Sequence, residues 1–139
     1  YKRQIINKVR QQQLPERKHI RNSEQVFRHF DHLQDLKVET IHVLLMDSKN
    51  RIIKDVKVAE GSSSQVSVLI KDIVQEAAAT ELVRGIILVH NHPSGDPTPS
   101  PADQDLTMSV KYACAKLDLT LLDHVVIGDN CFEKADKFI

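Results

Sequence analysis

Residues 85–105 read GIILVHNHPSGDPTPSPADQD, and this stretch decides the fold. Gly85 to Val89 is a continuous apolar run, the mark of a strand buried on both faces. It delivers the chain directly to His90. Pro93, Gly95, Pro97 and Pro99 then make the next segment a stiff, turn-rich loop. The loop ends at a helix start: Ser100 suits the N-cap, Pro101 the first helical position, and Asp103 the third. Leu106, Val110, Ala113, Cys114 and Leu117 continue at helical spacing.

Upstream, Asn22 or Ser23 can cap a helix whose apolar stripe is Val26, Phe27, Phe30, Leu33 and Leu36. From Glu39 the run ETIHVLLMD reads as a strand, Ser48-Lys49-Asn50 as a turn, and Arg51 to Val58 as the returning strand of a hairpin. Gly61 and the serines after it form a loop. Apolar residues at 66, 69, 70, 73, 74 and 77 predict a helix ending near Leu82. Downstream, Leu119 to Ile127 is a strand, and Gly128-Asp129-Asn130 turns into a short last one. The order is helix, hairpin, helix, strand, helix, strands. That predicts an α/β domain with a mixed sheet between helices, not a regular βαβ repeat.

Within the decisive stretch lies the pattern H-x-H, seven residues, then S-x-x-D, formed by His90, His92, Ser100 and Asp103. Residues two apart on a strand share a face, so the two imidazoles can converge on one ion while Asn91 points away. Two imidazoles and a carboxylate suit a divalent zinc with its fourth position open, as in catalytic sites. Ser100 and Asp103 are also explained by helix capping alone, with Asp103 at the positive end of the dipole. Capping does not explain the histidines, and the two readings are compatible. A hydrolase needs in addition a base for the water proton. Glu39, Glu60, Glu76, Asp105 and Asp123 are all candidates.

The bulk composition fits this picture. The chain has 139 residues and 41% hydrophobic content, enough for one domain with a real core. No apolar run approaches the roughly 20 residues needed to span a bilayer, so no membrane role is expected. The opening YKRQIINKVRQQQ lacks an apolar stretch, so no signal peptide is expected, and the missing starter Met suggests a fragment of a longer chain. Cys114 and Cys131 are expected to be reduced thiols, consistent with a cytoplasmic protein. The net charge of zero hides an asymmetry. Residues 1–21 hold seven Lys or Arg against one acid, leaving an acidic body. That arm is either a solvated linker or a contact for nucleic acid.

The H-x-H…S-x-x-D pattern resembles the JAMM (MPN-plus, or JAB) metallopeptidase motif. The wider segment IILVHNHPSGDPTPSPADQD, with LLDHVVIG downstream, resembles the bacterial RadC-type branch over approximately residues 20–139. The resemblance implies a cytidine-deaminase-like α/β fold, a mixed β-sheet flanked by helices, with residues 22–139 forming the MPN (JAB) domain. It implies zinc, about one ion per chain, held by His90, His92 and Asp103. The family glutamate lies eight residues before the Asp of a strand-ending L-x-D-like element. Here that element is LLMD, ending at Asp47, which maps the glutamate to Glu39. Ser100 maps to the family serine, whose hydroxyl stabilises the tetrahedral intermediate. The implied reaction is metal-assisted hydrolysis of an amide bond in a peptide or protein, Glu39 carrying the proton to the leaving nitrogen.

The chain also departs from the RadC pattern. QVSVLIKDIV replaces a usual Pro-Arg pair before its helix, and Glu133 occupies a position often held by serine. The helix-hairpin-helix segment of longer members is not in this sequence. A DNA-associated accessory role through residues 1–21 is the competing function, suggested by the family's association with DNA repair. A non-catalytic MPN scaffold is a third, opposed by the intact ligand set. Oligomeric state is not legible.

Overall fold

The computed structural model describes residues 16–61 and 66–136. The greater part of the basic arm, residues 1–15, lies outside them. Five strands form one mixed sheet in the order β2-β1-β3-β4-β5, with β1 Thr40–Met46, β2 Ile52–Glu60, β3 Gly85–Asn91, β4 Thr120–Gly128 and β5 Cys131–Lys134. The β1–β2, β1–β3 and β4–β5 pairs are antiparallel, and only β3–β4 is parallel. The helices are α1 Ser23–Phe30, α2 Val66–Ala79 and α3 Pro101–Lys116, with a 3₁₀ turn Asp31–Asp35 after α1. This is the α/β architecture with a mixed sheet that the patterning predicts.

Strand alternation divides the core in two. Val43, Leu45, Ile86, Leu88 and Leu121 face Leu69 and Ile73 of α2 and Leu106, Val110 and Cys114 of α3. Leu44, Met46, Ile87, Val89, Val125 and Ile127 face the opposite way, onto Ile20, Val26, Phe30 and Leu33. Every residue of β3 is buried, because helices cover it on both sides. Burial pushes the Cys114 thiol up to about 11, so this cysteine serves packing rather than nucleophilic chemistry.

Local signals set the element ends. Asn22 caps α1, its side chain accepting from the Gln25 amide at 2.9 Å. At the β1–β2 turn, one oxygen of buried Asp47 accepts from the Lys49 and Arg51 amides at 2.9 and 3.0 Å. Its other oxygen takes Arg51 Nε at 2.8 Å and Arg17 Nη1 at 3.2 Å. Residues before α1 therefore dock on the sheet: the Ile52 amide donates to the Lys18 carbonyl and the Ile20 amide to the Asn50 carbonyl.

Two predicted helix boundaries move. Helix α2 stops at Ala79 rather than near Leu82. Leu82 takes a left-handed φ of 69° and stays 62% exposed, turning the chain so that Val83 enters the core. Leu36 leaves the α1 stripe because the 3₁₀ turn changes the periodicity and the backbone is already extended at that residue.

Candidate metal centre

The two histidines enter the site from the end of β3, on the face covered by α3. The loop after them is clamped to the β4–β5 turn. The His92 amide donates to the Ile127 carbonyl at 2.9 Å, and the Asp129 amide to the Gly95 carbonyl at 2.9 Å. Gly128 makes this contact possible, since a Cβ there would strike the Gly95 carbonyl oxygen and lie 2.8 Å from Pro97 Cδ. Gly95 takes a φ of +87°, a conformation that favours glycine.

Asp103 is presented by the first turn of α3. Ser100 and Asp103 form a capping box: Ser100 Oγ accepts from the Asp103 amide at 3.1 Å, and the Ser100 amide donates to Asp103 Oδ2 at 2.8 Å. Capping and site construction are thus one arrangement. Burial raises the proton affinity of the Asp103 carboxyl. The hydrogen bond and charge of His90, with the Ser100 cap, outweigh burial and hold Asp103 well below the usual carboxylate range.

Glu39 arrives by sheet register. Ile41 pairs with His90 across the antiparallel β1–β3 ladder, so the residues just before Ile41 run alongside His92. The side chain of Asn91, on the opposite face from the histidines, extends that ladder past its last backbone pair. Its Oδ1 accepts from the Thr40 amide at 2.7 Å and the Thr40 hydroxyl at 3.1 Å, while its Nδ2 donates to the Val38 carbonyl at 3.0 Å. The amide imitates a strand peptide group and grips the backbone on both sides of Glu39. The Gly61 amide adds a bond of 2.8 Å to the Glu39 carbonyl.

These elements bring Glu39, His90, His92 and Asp103 into one group, with one ligand atom of each within 4.8 Å of the others. The closest approaches are His90 Nε2 to His92 Nε2 at 3.2 Å, His90 Nε2 to Asp103 Oδ1 at 3.1 Å, and His92 Nε2 to Asp103 Oδ2 at 3.0 Å. In a tetrahedral site with bonds near 2.0–2.1 Å, neighbouring donors stand about 3.3 Å apart. The two ring nitrogens match that edge length, and Asp103 presents one carboxylate oxygen to each of them. Glu39 Oε1 stands further off, 3.7 Å from His90 Nε2. His92 is also oriented for the task. Its Nδ1 is 2.8 Å from the Asp96 carbonyl oxygen, which only accepts, so Nδ1 carries the proton and Nε2 is the free donor atom. The set could hold a divalent metal ion.

Of the five carboxylates nominated as bases, Glu39 alone joins this group among the described residues. Glu60 pairs with Lys57 and Glu76 with Lys54, Asp105 is exposed, and Asp123 accepts the Ser23 hydroxyl at 2.5 Å. Glu133 lines a cavity of about 720 Å³ with Thr98, Pro99, Gln104 and Lys111, beside the start of α3.

A family model described as the RadC-like JAB domain matches residues 20–136. The chain belongs to this family. Among curated relatives of the RadC-like domain, a UPF0758 protein of Geotalea uraniireducens is 46% identical over 109 residues, covering 78% of this chain and 47% of that protein. One from Pelobacter propionicus is 45% identical over 107 residues, covering 76% and 46%. One from Geobacter sulfurreducens is 39% identical over 110 residues, covering 78% and 48%. The chain spans about half the length of the relatives it matches. The mixed five-stranded sheet and its three helices are consistent with a JAB/MPN fold. Among the described residues, no helix is long and apolar enough to cross a membrane.

Sequence reasoning missed two residues of this centre. His124 and Thr107 are fully buried behind His90, and neither had been nominated. A histidine in the buried run LLDHVVIG needs a hydrogen-bond partner, and that was the available signal. For Thr107, one hydroxyl in a helix, there was none.

Proposed function

We propose that this RadC-like JAB domain is a zinc-dependent metallopeptidase or isopeptidase that hydrolyses amide bonds in a peptide or protein. The observation that carries this reading is Glu39, 3.7 Å from His90 Nε2, beside two imidazoles and a carboxylate that approach one another at 3.0–3.2 Å. His90, His92 and Asp103 would hold the zinc. When bound, the ion supplies Lewis acidity, polarising a carbonyl oxygen and acidifying water. Glu39 takes the proton from the attacking water and returns it to the leaving nitrogen. Ser100 Oγ accepts the Asp103 amide and keeps its own proton for the oxygen that gains charge as the carbonyl becomes tetrahedral. A donor of this kind is worth about 3 kcal/mol.

The test is zinc content with turnover. Protein purified without chelators is expected to carry about one zinc per chain, lost in His90→Ala and Asp103→Ala. Glu39→Gln is expected to keep zinc and fold while losing cleavage of a peptide library. Exclusion of zinc by the wild type would overturn the proposal.

A second reading, nucleic-acid contact, draws on the seven Lys or Arg of residues 1–21. One of these, Arg17, is already engaged with Asp47 at 3.2 Å. This reading predicts affinity that falls steeply with salt. Deletion of residues 1–21 without loss of binding would dismiss it.

A further inference from the structure

Behind His90 runs a buried chain of hydrogen bonds that ends on the helix carrying Asp103. His90 Nδ1 lies 2.9 Å from His124 Nε2. His124 Nδ1 lies 2.6 Å from Thr107 Oγ1, and Thr107 Oγ1 lies 2.9 Å from the Asp103 carbonyl oxygen. His90 and His124 are 0% exposed and Thr107 is 1% exposed, so no solvent can reorder the chain.

We propose that His124 and Thr107 are positioning residues that hold the proton of His90 on Nδ1 and so commit its Nε2 to the ion. The proposal deepens the metal reading of the site. The polarity follows from the far end. A carbonyl oxygen only accepts, so the Thr107 hydroxyl donates to Asp103. Having spent its one proton, Thr107 Oγ1 accepts from His124 Nδ1–H. A neutral His124 then has a lone pair on Nε2, and His90 Nδ1 must supply the proton between the rings. Reversing the chain would set two acceptor oxygens face to face at 2.9 Å. His124 is 0% exposed and, among the described residues, its ring nitrogens meet only His90 and Thr107, neither of them a carboxylate, so the ring stays neutral and able to accept. One chain thereby orients a ligand on β3 and ties it to the helix turn that supplies the carboxylate. Such supporting bonds typically change metal affinity by about 10–100-fold.

Two measurements test this. In metal-free protein, long-range proton–nitrogen correlation spectra at slightly alkaline pH are expected to show a protonated Nδ1 on His90. They should also show Nδ1–H with bare Nε2 on His124. A bare Nδ1 on His90 overturns the proposal, whether or not the protein binds zinc. Failure to bind zinc with the stated tautomers intact overturns the metal reading instead. In competition against a chromogenic chelator, Thr107→Val, which keeps shape but not the hydroxyl, is expected to bind zinc about tenfold more weakly. Thr107→Ser is expected to bind as the wild type does. Equal affinity in Thr107→Val, with its histidine tautomers unchanged, would also overturn the inference.

Discussion

Truncating Asn91 to alanine isolates the clamp on Glu39 from the proposed metal donors on either side of it. Asn91 is 1% exposed and makes three bonds, two from Thr40 and one to the Val38 carbonyl. Val38 is 46% exposed, so its carbonyl can rehydrate at little cost, whereas Thr40 is 2% exposed and its amide is stranded. A buried donor left without a partner costs about 1–3 kcal/mol, and the lost hydroxyl bond adds about 1. Asn91→Ala should therefore lower unfolding free energy by about 2–4 kcal/mol in a urea titration. The loss should be concentrated at the start of β1. A local loss of about 2 kcal/mol speeds hydrogen exchange of the Thr40 amide about thirtyfold. Zinc content should be retained, because the three proposed ligands keep their own supports, while peptide cleavage falls as Glu39 loses its fixed backbone. Wild-type exchange at Thr40 together with wild-type turnover would refute the clamp.

Two further predictions concern supports around the sheet. For Asp47, burial raises the carboxyl pKa, but the Arg51 and Lys49 amides with the Arg17 and Arg51 side chains prevail and lower it. A folded-state value below the unfolded one stabilises the protein fully above the ordinary carboxylate range. That stability is lost as pH falls through the folded value. Asp47→Asn should cost about 2 kcal/mol at neutral pH, and its unfolding curve should converge with wild type in acid; parallel pH profiles would exclude this role. Gly128→Ala should push the loop carrying His92 off the β4–β5 turn, through the Gly95 carbonyl and the Pro97 ring. The expected result is weaker zinc binding and a stability loss of about 1–3 kcal/mol, and unchanged zinc affinity would contradict it.

Local chemistry made much of this protein legible in one dimension. The apolar run of β3, the proline-rich loop and the S-P-A-D cap each depend on residues a few positions apart. Strand, loop and helix start could therefore be read off the chain, and the structure has them there. The same holds for the Asn22 cap and the turn at Asp47. The end of α2 was misread because Leu82 looks helical by hydropathy, yet the chain must turn there to send Val83 inward.

What the sequence by itself determined was the pair of histidines on one strand face and the carboxylate at a helix start, both consequences of backbone periodicity and capping. What only the tertiary structure decided was which distant residues complete the centre. Sequence patterning left five carboxylates open as the base, with Glu39 at the start of a strand that could run beside β3, and the family resemblance then pointed to Glu39. The antiparallel register of β1 on β3 brings it beside His92. The parallel pairing of β3 with β4 places His124 behind His90, and the packing of α3 supplies Thr107. Register and helix packing minimise free energy over the whole buried core, so no local stretch of sequence encodes them. The partners that orient the donors therefore became visible only once the sheet was assembled.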